Sequence, residues 1–296
     1  MANQRQPKYQ LDPSKAELHI SKGNAKIGKG IFSYSTLPGN AEHMITLKDG
    51  TLLTDVPGTC SKYCEGCAKD GACYAWRDAK LHSNATIPAW GENTLLQREG
   101  RVWDEVGKFL TLKNGKAQKY LREAHEAGTD PEVAVRQARK LAVVKLFRIH
   151  VSGEVESASQ LRKWNIIALA HPETVFGLYT KNFDALAEFL DGEGEGSGDC
   201  FAPNFVVNVS EWHGVAREFL ESHPNAKLNV FEYDDHLRKD CGLEPEEKLR
   251  LAALPHCPAV DSDGHHHKLP DGTPITCDHC RRCYTKTGWR TAVYAH

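Results

Sequence analysis

Eight of the ten cysteines fall in two short stretches, Cys60, Cys64, Cys67 and Cys73 in one and Cys257, Cys277, Cys280 and Cys283 in the other. Only Cys200 and Cys241 stand apart. Outside a disulfide-forming compartment, thiols bunched in this way ligate metal. In the second stretch Cys257-Pro258 is followed by Cys277-x2-Cys280-x2-Cys283. Three thiols at spacing three wrap the chain around a compact object. With a separate Cys-Pro, that spacing is how bacterial ferredoxins hold a [4Fe–4S] cube, although here the Cys-Pro comes first. His256, His265, His266, His267 and His279 offer nitrogen ligands, so zinc stands as the alternative metal. A metal held there supplies folding energy to a segment poor in apolar residues.

The first stretch, Cys60-x3-Cys64-x2-Cys67, resembles the signature of radical S-adenosylmethionine enzymes. That resemblance implies three thiolates on three irons of a [4Fe–4S] cluster, with the fourth iron open to S-adenosylmethionine. Gly66 stands where that signature places an aromatic residue. Cys73 is a fourth nearby thiol; as a ligand it closes the site into a four-Cys cluster or a zinc site. A second resemblance lies downstream, where Phe147-Arg148-Ile149-His150-Val151 runs into Ser152-Gly153-Glu154. Radical S-adenosylmethionine enzymes carry a Gly-Gly-Glu-like turn at such a place. The resemblance therefore implies that Ser152, Gly153 and Glu154 contact the cofactor. Glu154 and then Lys181 are the expected catalytic side chains. His150, Thr180, Asn208, Ser210, Glu232 and Tyr233, also at strand ends, are expected to line the same pocket.

The elements that must position these residues alternate. Strands are expected at 31–35, 143–151, 174–179, 205–209 and 227–233, with a further one around 44–53. Helices are expected over 157–170, 183–190 and 212–222, and before them over 95–110, with a break at Gly100, and 132–141 behind Pro131. This alternation predicts parallel βαβ units and an α/β fold, a partial (β/α) barrel of about five to six parallel strands. It is expected to span residues 1–240, with a cysteine- and histidine-rich metal-binding extension over 241–296. Gly23-Asn24-Ala25-Lys26-Ile27-Gly28-Lys29-Gly30 imitates a phosphate-binding loop, but it leads into a strand and reads as a basic turn.

The order of four stretches resembles the phage "gene product 88" family: Gly23 to Ile27, Cys73-Tyr74-Ala75, Phe147 to Glu154 with Tyr179-Thr180-Lys181, and the cysteine-rich tail. That resemblance implies a phage or prophage source and no established reaction. Composition sets outer limits. With 37 Lys+Arg against 39 Asp+Glu, no global charge favours nucleic acid. Locally, Arg281, Arg282, Lys286 and Arg290 surround the tail cysteines, with Tyr284 and Trp289 offered for base stacking. A metal-stabilised nucleic-acid-binding protein is thus one alternative to an enzyme, and a non-catalytic Fe–S or zinc scaffold is another. The opening residues lack an apolar leader, and no run of 18 apolar residues occurs, so a cytoplasmic protein without a membrane partner is expected.

Overall fold

The computed structural model of the chain describes residues 7–23, 27–64, 73–192, 200–212, 214–234, 236–237, 243–259, 261, 265, 267–285 and 288–294. Seven strands form one sheet in chain order: β1 (Ile20–Lys22), β2 (Ile31–Tyr34), β3 (Leu146–Ile149), β4 (Val175–Thr180), β5 (Phe205–Glu211), β6 (Asn229–Asp234) and β7 (Arg290–Tyr294). β1 and β2 pair antiparallel as a hairpin, and β2 through β7 are all parallel. The sheet stays open and is not a closed barrel. The reason lies at its edges. The hairpin strand β1 occupies the free side of β2. Pro255 to Cys257 lies along β7, with Cys257 N–H donating to Ala292 O at 2.8 Å and Ala292 N–H to Pro255 O at 3.0 Å.

Among the described residues of the long connection from β2 to β3 lie five α-helices: α1 (Tyr74–Leu81), α2 (Ser83–Glu99), α3 (Val102–Lys113), α4 (Gly115–Glu126) and α5 (Pro131–Leu141). Gly100, at φ +77°, closes α2 in the left-handed conformation that its missing Cβ permits. Asp130 accepts from Val133 N–H at 3.0 Å and Pro131 takes the first turn, so α5 starts where capping chemistry places it. Three more crossovers are helical: α6 (Ala158–Ala170), α7 (Phe183–Asp191) and α8 (Arg217–Ser222). Two short helices follow β6: α9 (Pro245–Ala252) and α10 (Cys277–Cys280). Among the described residues no helix is long and apolar enough to cross a membrane.

The two faces of the sheet bury different things. Phe32, Tyr34, Phe147, Ile149, Phe176, Leu178, Phe205, Val207 and Val209 face the helices, where Trp164 is wholly buried. Ile31, Leu146 and Val175 face the other way, and the tail covers them with Tyr284, Cys277 and Cys283. Period-two alternation along each strand divides the sequence between these faces.

Two expectations fail. Residues 44–53 are no strand: only a Thr46–Leu52 bridge forms, because Gly50 at φ +80° turns the chain back within a few residues. Within the tail, Arg290-Thr291-Ala292-Val293-Tyr294 joins the main sheet as β7, where loss of the strand pattern was expected. Its β-branched and aromatic residues suit a strand, but their partners lie in β6, far away in sequence.

Candidate functional site

The first cysteine stretch is fixed by backbone threads from three places. Beyond β2, Leu37 O accepts from Thr59 N–H at 3.0 Å, and Gly39 O from Cys60 N–H at 2.8 Å. Beyond β3, Ser152 O accepts from Thr36 N–H at 3.0 Å. Thr59 Oγ1 ties the two extensions together, accepting from Glu154 N–H at 2.8 Å. Between them Gly153 sits at φ +75°, and a Cβ there would run into the Thr36 and Thr59 hydroxyls. The chain thus requires glycine at this turn for two separate reasons.

This knot brings the cysteines to Glu154. Cys64 closes a short 3-10 turn (Lys62–Cys64), and its Sγ lies 3.8 Å from Glu154 Oε1. The same oxygen accepts from Lys181 N–H at 3.1 Å, at the end of β4. Glu154 Oε2 is buried with no hydrogen-bond partner. In residues 148–152, just before it, three more buried polar atoms have no hydrogen-bond partner: Arg148 Nε, His150 Nε2 and Ser152 Oγ. Burial pushes the Glu154 carboxyl up to about 7, against the pull of Thr180 and Lys181. The Cys64 thiol is raised as well, by its hydrogen bond with Cys60, by burial and by the Glu154 charge. Lys181 supplies the nearby positive charge, with its ammonium 4.9 Å from the centre of the Trp212 ring. Trp212 in turn stacks on Tyr233 at 3.7 Å. Cys73 is half-buried at the start of α1. Cys67 lies outside the described residues.

The tail site lies on the face of the sheet turned away from the helices. α10 places Cys277 and Cys280 one turn apart, and a 3-10 turn (Arg282–Tyr284) carries Cys283. Asn208 and Asn229, on β5 and β6, donate to Cys283 O at 3.0 Å and Thr285 O at 3.1 Å. The Tyr284 ring lies over Gly177, and Asp278 N–H donates to Ile27 O at 3.1 Å. Burial, together with Cys277 and Cys257, pushes the Cys283 thiol up to about 12 despite a hydrogen bond from Tyr179. Three of the four tail cysteines therefore interact, and Cys280 is half-buried on the same short helix. Gly28 and Gly30 pack closely against Thr276 and Asp278, so the described end of the turn read from the sequence has a packing role, and Asn24 to Lys26 lie outside the described residues.

Several sequence-based assignments change. Tyr284 is 8% exposed and is no stacking platform for a base. Arg290 pairs with Glu232 at 2.6 Å and Arg281 with Asp278 at 3.4 Å, which leaves less free charge on that rim than the sequence offered. Arg282 lies over Trp289, and Lys286 falls outside the described residues. Glu232 pairs with Arg250 and Arg290 on the helix-covered face, away from Tyr233 and the strand-end pocket. Asn208 holds the tail rather than lining a pocket. His279 Nδ1 caps its own helix at Thr276. Arg148 was read only as part of a strand. It lies 4.3 Å from the centre of the Tyr179 ring, between the two cysteine sites, and its signal was a lone charge in an apolar run.

Fold and site together define an α/β protein with an open, mostly parallel sheet, one cysteine stretch past the ends of β2 and β3 and a second on the face turned away from the helices. The family model described as Gene product 88 matches residues 18–286, so the chain belongs to that phage family. No curated protein and no solved structure matches it.

Proposed function

We propose that the protein is an iron–sulfur enzyme of the radical S-adenosylmethionine type. Cys60, Cys64 and Cys67 hold a [4Fe–4S] cluster with one open iron, and Cys257, Cys277, Cys280 and Cys283 hold a second, auxiliary centre. One observation carries this reading: Cys64 lies against Glu154 just past β2 and β3, and Glu154 keeps a buried oxygen with no partner. Ser152 Oγ and His150 Nε2, in the same turn segment, are likewise buried without a partner, and such polar atoms suit a polar, charged ligand better than an apolar one. Bound there, S-adenosylmethionine supplies a 5′-deoxyadenosyl radical once the cluster donates an electron.

The chain's own residues bind and orient. The Lys181 amide fixes Glu154 Oε1, leaving Oε2 to accept a charge-assisted hydrogen bond from the cofactor's ammonium. The Lys181 side chain offsets the negative charge of thiolates and carboxylate. Gly153 keeps the turn close enough for contact. The substrate enters at the same strand ends.

Anaerobic reconstitution followed by reduction with S-adenosylmethionine tests the reading, with 5′-deoxyadenosine as product. Such a hydrogen bond contributes about 1.5–3 kcal/mol, so Glu154→Gln should weaken cofactor binding roughly tenfold or more. Cys73→Ser should keep the cluster and the product. A fully loaded protein that forms no 5′-deoxyadenosine, or a cluster lost with Cys73, leaves an iron–sulfur scaffold instead. Stoichiometric zinc at both sites from iron-replete cells would overturn the iron assignment itself.

A further inference from the structure

Asp234, His236 and His256 bring one ligand atom each within 4.8 Å of one another. Asp234 is the last residue of β6, and its carboxylate is wholly buried. His236 Nδ1 stands 2.5 Å from Asp234 Oδ1, and His256 Nε2 stands 2.6 Å from Oδ2. Both separations are shorter than the usual N–H···O range of about 2.7–3.2 Å. Tyr294, the register partner of Asp234 on β7, stacks on the His256 ring at 4.1 Å and fixes its plane.

We propose that these three side chains are a mononuclear site for a divalent first-row metal, separate from both cysteine centres. Two imidazoles and a carboxylate are the ligand set of zinc or ferrous iron. No fourth ligand joins them among the described residues, so water or another small ligand completes the coordination. The site is distinct from the tail centre because of strand geometry. Pro255 to Cys257 lies extended along β7, and neighbouring residues of an extended chain point to opposite faces. His256 turns to Asp234 on the helix side, while Cys257 turns to Cys277 and Cys283 on the tail side. His256, which the sequence offered to the tail metal, thus belongs elsewhere. A metal here staples the segment carrying Cys257 to the end of β6. The assignment does not depend on the chemistry of the cysteine sites.

Cobalt(II) titration of the full-length protein with its cysteine sites already loaded is the test. The expected result is one further equivalent bound, with ligand-field absorption and no new thiolate-to-cobalt charge transfer. Even outer partners of a ligand are worth about 10–100-fold in affinity, so His256→Gln and Asp234→Asn should each cost about a hundredfold or more. Cys200→Ser, at an exposed cysteine outside both clusters, should leave cobalt affinity unchanged. His236→Gln, a change in a turn side chain that is not fully buried, stands in where Asp234→Asn does not fold. Three outcomes overturn the proposal: no extra cobalt on the wild type, wild-type affinity in folded His236→Gln and His256→Gln, or a thiolate-to-cobalt band on the added equivalent.

Discussion

His150 shows how much one residue at the strand end is asked to bear. Its backbone is left-handed, at φ +55°, its ring is 2% exposed, and Nδ1 lies 3.2 Å from Thr36 Oγ1. Burial lowers its pKa from 6.5 to about 3. The unfolded chain therefore takes up this proton near pH 6.5, and the folded protein resists it down to about 3. The stability this residue brings is complete above pH 6.5 and is lost as the pH falls toward 3. The limiting slope is about 1.4 kcal/mol per pH unit. His150→Asn suits the backbone, because asparagine tolerates the left-handed region, and it carries no titrating ring. Urea unfolding of both proteins at pH 7, 6 and 5 should show the stability difference moving in favour of the variant by about that slope in the acid range. A difference that does not change with pH would mean that the folded protein protonates His150 as readily as the unfolded chain.

Between elements, the contact of the tail with β4 depends on an absent side chain. A Cβ at Gly177 would lie 2.7 Å from Tyr284 Cε1 and 3.0 Å from Cδ1, closer than packing allows. Gly177→Ala should then displace the ring and cost about 1–3 kcal/mol, the usual range for overpacking. Limited proteolysis reads this directly: cleavage beyond about residue 254 should speed up while the strands from β2 to β6 stay protected. An unchanged pattern would mean that Tyr284 is not what seats the tail. This contact also marks the boundary of what the sequence makes legible. β3 to β6 are readable because each is a continuous apolar run between helices, which is what burial on both faces produces. Cys64 and Glu154, singled out by residue type and spacing, are neighbours in the fold. Gly177 under Tyr284, β7 beside β6, and Asp234 with His256 are not readable, since each depends on register between segments distant in the chain. Local periodicity carries no information about such pairs. Glu232 illustrates the cost: it looked like a pocket residue at a strand end, and one step of alternation puts it on the other face, between Arg250 and Arg290.

Across the whole molecule, the two cysteine clusters are held by different parts of one parallel sheet, one past the strand ends and the other on the face turned away from the helices. Cys60 and Cys64 lie beyond the C-terminal ends of β2 and β3, where the chain leaves the sheet. Cys277 and Cys283 pack on Ile31 and Leu146, the first residues of the same two strands. Arg148 and Tyr179 stand between them on the shared face. The clusters share no ligand, so each should load without the other. Their mechanical consequences differ. The tail carries β7 and covers the apolar starts of three strands, whereas the first cysteine stretch is also tied to the sheet extensions by the hydrogen bonds of Thr59 and Cys60. Cys277→Ser with Cys280→Ser should therefore remove about half of the iron if each site holds one four-iron cluster, and should also lower the melting temperature. Cys60→Ser with Cys64→Ser should remove a similar share while leaving the melting temperature near that of the wild type. Iron analysis and calorimetry on the two double variants decide the matter. If either variant loses all of its iron, the clusters load as one unit. If the pair in the first stretch destabilises the protein as much as the pair in the tail, metal there is structural as well, and the open site proposed beside Glu154 loses its main physical distinction from the tail.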